Sequence, residues 1–138
     1  VLGSELDALA RRRVVLPPPE APRAAGNTTL AVVATDAVLD KAQALKVAQM
    51  AHDGLARALR PAHTMFDGDT IFCLATGRKA LPETPGFFSG AAARALSEVG
   101  QTAADCLARA ILRGVLAADS MAGLTAFADL PLRDTGDP

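Results

Sequence analysis

The chain lacks tryptophan and tyrosine altogether and contains only five phenylalanines among its 138 residues. Hydrophobic residues still make up 50% of it, so alanine and small aliphatic side chains must build the core. A length of this order suits one domain, because domains commonly contain about 100 to 150 residues. The sequence therefore predicts a small domain whose alanine-rich helices pack closely together.

An excess of charge of one sign is also missing. The 14 basic and 15 acidic residues leave a net charge of −1, whereas binding to a phosphate backbone needs a positive surface. Long uncharged runs are absent as well: the apolar region 91–118 is interrupted by charged residues such as Arg94 and Asp105. A membrane span needs about 18 apolar residues with few charges. We expect neither a nucleic-acid partner nor a membrane.

Cysteine is scarce too, with only Cys73 and Cys106, and each lies in an apolar pattern. The first residues place acidic groups within an apolar stretch and arginines after it, the reverse of a signal peptide. We therefore expect no disulfide framework, two reduced cysteines in the core, and a cytoplasmic protein. The two histidines, His52 and His63, lack a partner at metal-ligand spacing. We predict no metal site, and we interpret His52 as structural.

Residues 1–27 differ in composition from the rest. They contain three consecutive arginines at 11–13, three consecutive prolines at 17–19 and a further proline at 22. Proline holds the backbone extended and has no N–H to donate. We predict a tail or linker over 1–27, followed by a domain over 28–138.

The domain is predicted to follow the order strand, helix, strand, helix. We expect strands over 29–35 and 70–76, the second ended by Gly77, and helices from the Asp40 cap to about residue 59 and from 91 to 118. The second strand lacks strict alternation, which favours cover on both faces. The predicted buried stripes are Leu45, Ala48, Ala51, Leu55 and Leu59 in the first helix, and Leu96, Val99, Ala103, Leu107, Ala110 and Ile111 in the second.

Two strands alone leave edges unpaired and do not form an independently stable sheet. We therefore expect further strands from a partner subunit or from a segment upstream, and we favour the upstream segment. On this interpretation the chain is an α/β portion of a larger fold.

The junction between tail and domain is a candidate for chemistry. Asn27 precedes Thr28 and Thr29 at the start of the first strand. A threonine whose own amine is freed by backbone cleavage carries nucleophile and base on one residue. The plainer alternative is that Asn27 ends a loop and Thr28 begins a strand. The same three residues match a glycosylation sequon, which matters only in a secreted protein.

A second candidate is the turn formed by Asp67, Gly68 and Asp69. Both carboxylates precede a strand, so they are predicted to lie at the same end of the sheet as Thr28, where they would orient its amine and hydroxyl. A calcium loop is rejected, because its twelfth position would be Arg78 where a bidentate glutamate is required. An ordinary Asp-Gly turn is the alternative.

Four sequence stretches together resemble the L-aminopeptidase/D-esterase family, which includes D-aminopeptidases, β-peptidyl aminopeptidases and the nylon-oligomer hydrolase. They are NTTLAVVATD at 27–36, AHDGLARA at 51–58, HTMFDGDT at 63–70 and ATG at 75–77. The resemblance implies an αββα sandwich of which this chain supplies a strand-helix-strand-helix portion, without a metal or organic cofactor. It also implies self-cleavage into a larger α chain and a smaller β chain, and assembly into homo-oligomers.

The resemblance also implies roles for individual residues. Thr28 matches the N-terminal nucleophile, Asn27 the residue on the departing side of the cut, and Asp67 and Asp69 the acidic pair of the nylon-hydrolase branch. The family's oxyanion-stabilising groups belong to the α portion, so an upstream segment is an expected partner. We predict a self-processing aminopeptidase or amidohydrolase acting on short peptides or amides. The alternatives are a non-catalytic fragment or assembly subunit, and an acyltransferase on the same scaffold.

Overall fold

A computed structural model of the chain describes residues 12–14, 28–82 and 90–134. The predicted tail over 1–27 lies largely outside these residues, and its described part is a strand. The predicted order strand, helix, strand, helix is confirmed within a mixed α/β structure. The elements in chain order are β1 (Arg12–Val14), β2 (Leu30–Ala37), α1 (Lys41–Ala58), β3 (Thr70–Lys79), α2 (Ala91–Leu116), a 3-10 helix (Phe127–Asp129) and β4 (Leu132–Asp134).

The chain divides into two compact units. The larger unit is Ala25–Arg113, which contains β2, α1, β3 and most of α2. In the other unit β1 and β4 form an antiparallel pair, with Arg12 opposite Asp134. All candidate site residues belong to the larger unit.

Helix α1 begins where the sequence predicts, because Asp40 forms a capping box. The Asp40 carboxylate accepts from the Gln43 backbone N–H at 2.8 Å, and the Gln43 side chain accepts from the Asp40 N–H at 2.9 Å. This reciprocal pair satisfies two donors that a helix start leaves free. The buried residues of α1 are Val47, Ala48, Ala51, Gly54 and Leu55.

One member of the predicted α1 stripe is misplaced. Leu45 is 59% exposed, whereas Val47 is fully buried. Residues two apart in a helix point to nearly opposite sides, so the true stripe includes Val47 and excludes Leu45. The remaining predicted members, Ala48, Ala51, Leu55 and Leu59, lie in or against the core.

Helix α2 packs on α1 through glycines, as the shortage of large side chains suggests. A Cβ built on Gly54 would overlap the backbone carbonyl of Ala104, and one on Gly100 would overlap the side chain of Met50. At Gly54, where the neighbour is backbone, only glycine permits the approach. The predicted inner face of α2 is confirmed except at Ala110, which is exposed.

Strands β2 and β3 are parallel, and α1 forms the crossover between them. Each residue from Leu30 to Thr35 pairs with the residue forty positions later, and the register shifts between Thr35 and Ala37. The prediction that Gly77 ends the strand is wrong. Gly77 has a φ of 67°, which glycine adopts without steric cost, and β3 continues through it to Lys79.

Only one face of the β2–β3 sheet is covered by the described residues. Ala31, Val33, Ile71 and Cys73 point toward the helices and join the core cluster. The opposite face exposes large apolar side chains by 57% to 70%, so the prediction of cover on both faces is wrong for this part of the chain. These side chains are Leu30, Val32, Phe72 and Leu74.

The two cysteines differ in environment. Cys73 is half-buried beside the core cluster, and burial raises the pKa of its thiol. Cys106 is exposed, so its assignment to the core is wrong, and both are free thiols. Neither α1 nor α2 combines the length and apolar character that crossing a bilayer would require.

Candidate active site

The parallel register brings Thr28 beside Gly68 at the amino end of the sheet. The forty-residue offset of the ladder, extended two positions back from the Leu30–Thr70 pair, places these residues opposite each other. A Cβ built on Gly68 would lie 2.8 Å from Thr28 Oγ1. Thr28 is exposed, and its hydroxyl lies over Gly68.

Asp69 holds the strand start directly after Thr28. Its Oδ1 accepts from the Thr29 backbone N–H at 3.0 Å, and the Asp69 side chain is only 7% exposed. The hydrogen bond from Thr29 is the largest cause that lowers the pKa of the Asp69 carboxyl; burial opposes it, and the hydrogen bond from His63 adds to it. Asp69 is therefore a carboxylate at neutral pH.

Asp67 forms hydrogen bonds within its own turn, unlike Asp69. Its Oδ2 accepts from the Thr64 backbone N–H at 2.6 Å, and the Asp67 N–H donates to the Thr64 carbonyl at 3.1 Å. These bonds close the turn that precedes β3. The Thr70 hydroxyl donates to the Gly68 carbonyl at 3.1 Å, which fixes the other side of Gly68.

His63 belongs to this site, although no sequence motif assigned it a role. Its Nδ1 lies 2.9 Å from Asp69 Oδ2, so both carboxylate oxygens of Asp69 have a partner. The His63 ring also meets the His52 ring edge to face, with 4.9 Å between centroids. His63 has a φ of 57°, which a non-glycine residue seldom adopts. The signal available in the sequence was that His63 begins the stretch 63–70, which also contains Asp69.

The predicted site residues Thr28, Asp67 and Asp69 are thus neighbours at one end of the sheet. Asn27, the predicted residue before the cut, lies outside the described residues. Within the described ranges, no three His, Cys, Asp or Glu side chains gather as a metal site. The arrangement offers a hydroxyl, a fixed backbone and one carboxylate whose side chain is only 7% exposed.

A groove runs from this site along β2. It has a volume of about 810 Å³ and is lined by residues 29–35 of the strand and by one side of α2. The α2 side is mainly apolar, with Val99, Ala103, Leu107 and Ile111. Thr29 lines the groove, so the groove begins one residue from Thr28.

Comparison with known proteins points first to a class: the similar proteins bear the names of aminopeptidases and of an oligomer endohydrolase. The chain belongs to peptidase family S58, whose family model matches residues 2–127. This membership confirms the resemblance noted in the sequence.

Two mycobacterial relatives and one 6-aminohexanoate-oligomer endohydrolase illustrate the similarity. An uncharacterized aminopeptidase of Mycobacterium leprae is 50% identical over 111 residues, which cover 78% of this chain and 30% of the relative. One of Mycobacterium tuberculosis is 49% identical over 106 residues, covering 75% and 31%. The 6-aminohexanoate-oligomer endohydrolase of Paenarthrobacter ureafaciens is 32% identical over 88 residues, covering 64% and 25%. The chain spans less than a third of each relative.

Proposed function

We propose that this chain carries the nucleophile of a self-processing aminopeptidase or amidohydrolase that cleaves short peptides or other amides. The observation that carries the proposal is the position of Thr28. Its Oγ1 lies against Gly68, and the next backbone N–H is held by the Asp69 carboxylate. Membership of a peptidase family supports hydrolysis, and the named activity of the 6-aminohexanoate-oligomer relative supports amides as a substrate class.

Self-processing requires attack by Thr28 Oγ1 on the carbonyl carbon of Asn27. The Oγ–C bond forms, the Asn27–Thr28 peptide C–N bond breaks, and the hydroxyl proton passes to the departing nitrogen. Water then opens the resulting ester. Asn27 leaves with a carboxylate, and Thr28 keeps its hydroxyl and gains a free α-amine.

Turnover reuses the same atoms on a substrate. The neutral α-amine of Thr28 takes the hydroxyl proton while Oγ1 attacks the substrate carbonyl, and the proton then passes to the leaving amine. An unperturbed α-amine titrates at about 7.7 to 8.0, so part of it is neutral at cellular pH. Water hydrolyses the acyl-enzyme ester and regenerates Thr28.

Further parts of the enzyme are expected from an upstream segment and from oligomer assembly. The exposed apolar sheet face, which includes Val32 and Phe72, supports a segment that covers it. The same segment would supply the oxyanion donors, whose absence costs an acyl transfer about 100- to 1000-fold in rate. The cytoplasmic location stays a prediction.

Intact-mass analysis of the full-length protein tests the proposal. We expect a new chain start at Thr28, no cleavage and no amide hydrolysis in Thr28→Ala, and partial retention of both in Thr28→Ser. The serine variant is the matched control, because it keeps a hydroxyl at the same position. Turnover in the alanine variant equal to wild type would overturn the assignment. Products formed with an added amine acceptor separate a hydrolase from an acyltransferase.

A further inference from the structure

The hydrogen bond on Thr29 controls the position of Thr28 through the peptide plane. The N–H that Asp69 Oδ1 accepts at 3.0 Å belongs to the peptide group joining Thr28 to Thr29. That rigid plane includes the Cα of Thr28, which bears the hydroxyl side chain and, after processing, the free amine. The Thr29 carbonyl is fixed as well, because it accepts from the Thr70 N–H at 2.9 Å.

This restraint matters most after the chain has been cut. A new chain end loses its covalent tether on one side, and chain ends fray unless they are tied down. The bond from the Thr29 N–H to Asp69 would be the first backbone hydrogen bond after the new terminus. The stability of the nucleophile's position therefore depends on how firmly Asp69 itself is held.

His63 is the group that holds Asp69. One carboxylate oxygen, Oδ1, is used by Thr29, and the other, Oδ2, lies 2.9 Å from His63 Nδ1. With partners on both oxygens, the carboxylate cannot rotate without breaking one bond. The His63 ring is also in edge contact with the His52 ring.

We propose that His63 is a positioning residue of this site, which orients the Asp69 carboxylate so that it fixes the Thr28–Thr29 peptide and with it the terminal nucleophile. The inference rests on the proposed function of Thr28. It follows the general arrangement in which a third group orients the partner of a nucleophile. His63 donates from Nδ1 and does not touch the reacting atoms.

The test compares two substitutions that both tolerate the backbone at this position. His63 has a φ of 57°, so an alanine variant would add backbone strain to the loss of the donor. Glycine and asparagine both accept positive φ. His63→Gly removes the donor, and His63→Asn restores one, because the asparagine side-chain amide can donate to Asp69 Oδ2.

Kinetics of the full-length protein give the first measurement. We expect His63→Gly to lower kcat roughly 10- to 100-fold with little change in KM, since small misplacements of reacting groups cost rates of this size. We expect His63→Asn to recover most of the loss, and self-cleavage to be slowed less than turnover. Wild-type kcat in the glycine variant, or an asparagine variant no better than glycine, would overturn the proposal.

A second measurement does not depend on activity. The Thr29 amide resonance, followed by NMR in threonine-labelled protein, should lose the downfield shift of a bond to a carboxylate in His63→Gly and keep it in His63→Asn. An unchanged Thr29 resonance in the glycine variant overturns the positioning role, whatever the kinetics. If wild type neither cleaves itself nor hydrolyses amides, the proposed function fails, and this resonance alone decides the role of His63.

Discussion

The β2–β3 ladder carries an aspartate with a lowered pKa at each of its two ends, and the two are held in different ways. At the amino end, the Asp69 side chain is 7% exposed, and the hydrogen bond from the Thr29 backbone N–H is the largest cause that lowers its pKa. At the carboxyl end, Asp36 is 50% exposed and pairs with Lys79 at 2.9 Å. The side-chain hydrogen bond from Lys79 is the largest cause that lowers the pKa of Asp36.

This difference indicates that the amino end of the ladder has the more fixed geometry. An exposed ion pair between flexible side chains is screened by solvent and contributes little. A carboxylate that bridges a backbone amide and an imidazole specifies the position of both. The amino end therefore holds the Thr29 backbone in place, whereas the carboxyl end carries a solvated ion pair on the surface.

Of the substitutions that test this contrast, Gly68→Ala is expected to have the largest effect. The added Cβ would lie 2.8 Å from Thr28 Oγ1 and would displace the hydroxyl, and a shift of about 1 Å costs about 100-fold in rate. Turnover and self-cleavage should both fall, as measured by kinetics and intact mass. Gly114→Ala is the matched control, because its Cβ meets nothing within 4 Å; equal activity in the two variants would contradict the expectation.

Removing the two carboxylates in turn tests the contrast directly. Asp69→Ala leaves the partly buried Thr29 N–H without its acceptor, which costs about 1 to 3 kcal/mol. Asp36→Ala removes an exposed pair and should leave the unfolding midpoint nearly unchanged. Chemical denaturation of both variants measures the difference. Asp53 lies in α1, outside the turn that contains Asp69. We therefore also expect Asp69→Ala to lower turnover more than Asp53→Ala, and equal losses would argue against the site.

A substitution at Gly77, near the carboxyl end of the ladder, should lower the stability of the protein without affecting the candidate site. Gly77 has a φ of 67°, and a Cβ added to it would meet no atom within 4 Å. Alanine at this position therefore causes no clash, but the left-handed backbone costs it about 1 to 2 kcal/mol. Thermal unfolding should register this loss while the kcat per folded molecule stays at the wild-type value. A fall in that kcat would show that the two ends are coupled.

The smallest effects concern pH and salt. The pKa of Asp69 is lowered from its ordinary value of 3.8, so its stabilising contribution is complete above that value and is lost as the pH falls through the lower, folded pKa. The stability gap between wild type and Asp69→Ala should therefore close in acid.

At about 1 M salt, where the screening length is about 3 Å, only the contribution of the Asp36–Lys79 pair to the free energy of unfolding should weaken. A contribution of Asp69 that changed with salt would contradict the contrast.

Much of the fold was readable from local patterns. The Asp40 cap, the start of α2 and the order of strands and helices follow from neighbouring residues, and these predictions are confirmed. The failures at Leu45 and at the outer sheet face have a different origin. Whether an apolar side chain is covered depends on what packs against it, and periodicity reports only which side of an element it occupies.

The sequence by itself determined that a threonine and an Asp-Gly-Asp turn each directly precede a strand. Only the tertiary structure decided that Asp69 holds a backbone amide, that Asp67 closes its own turn, and that His63 completes the group. The physical reason is register: the contact between Thr29 and Asp69 spans forty residues and depends on how two strands align. Local propensity determines where each strand forms, but the alignment of the two strands determines the side-chain contacts at the site.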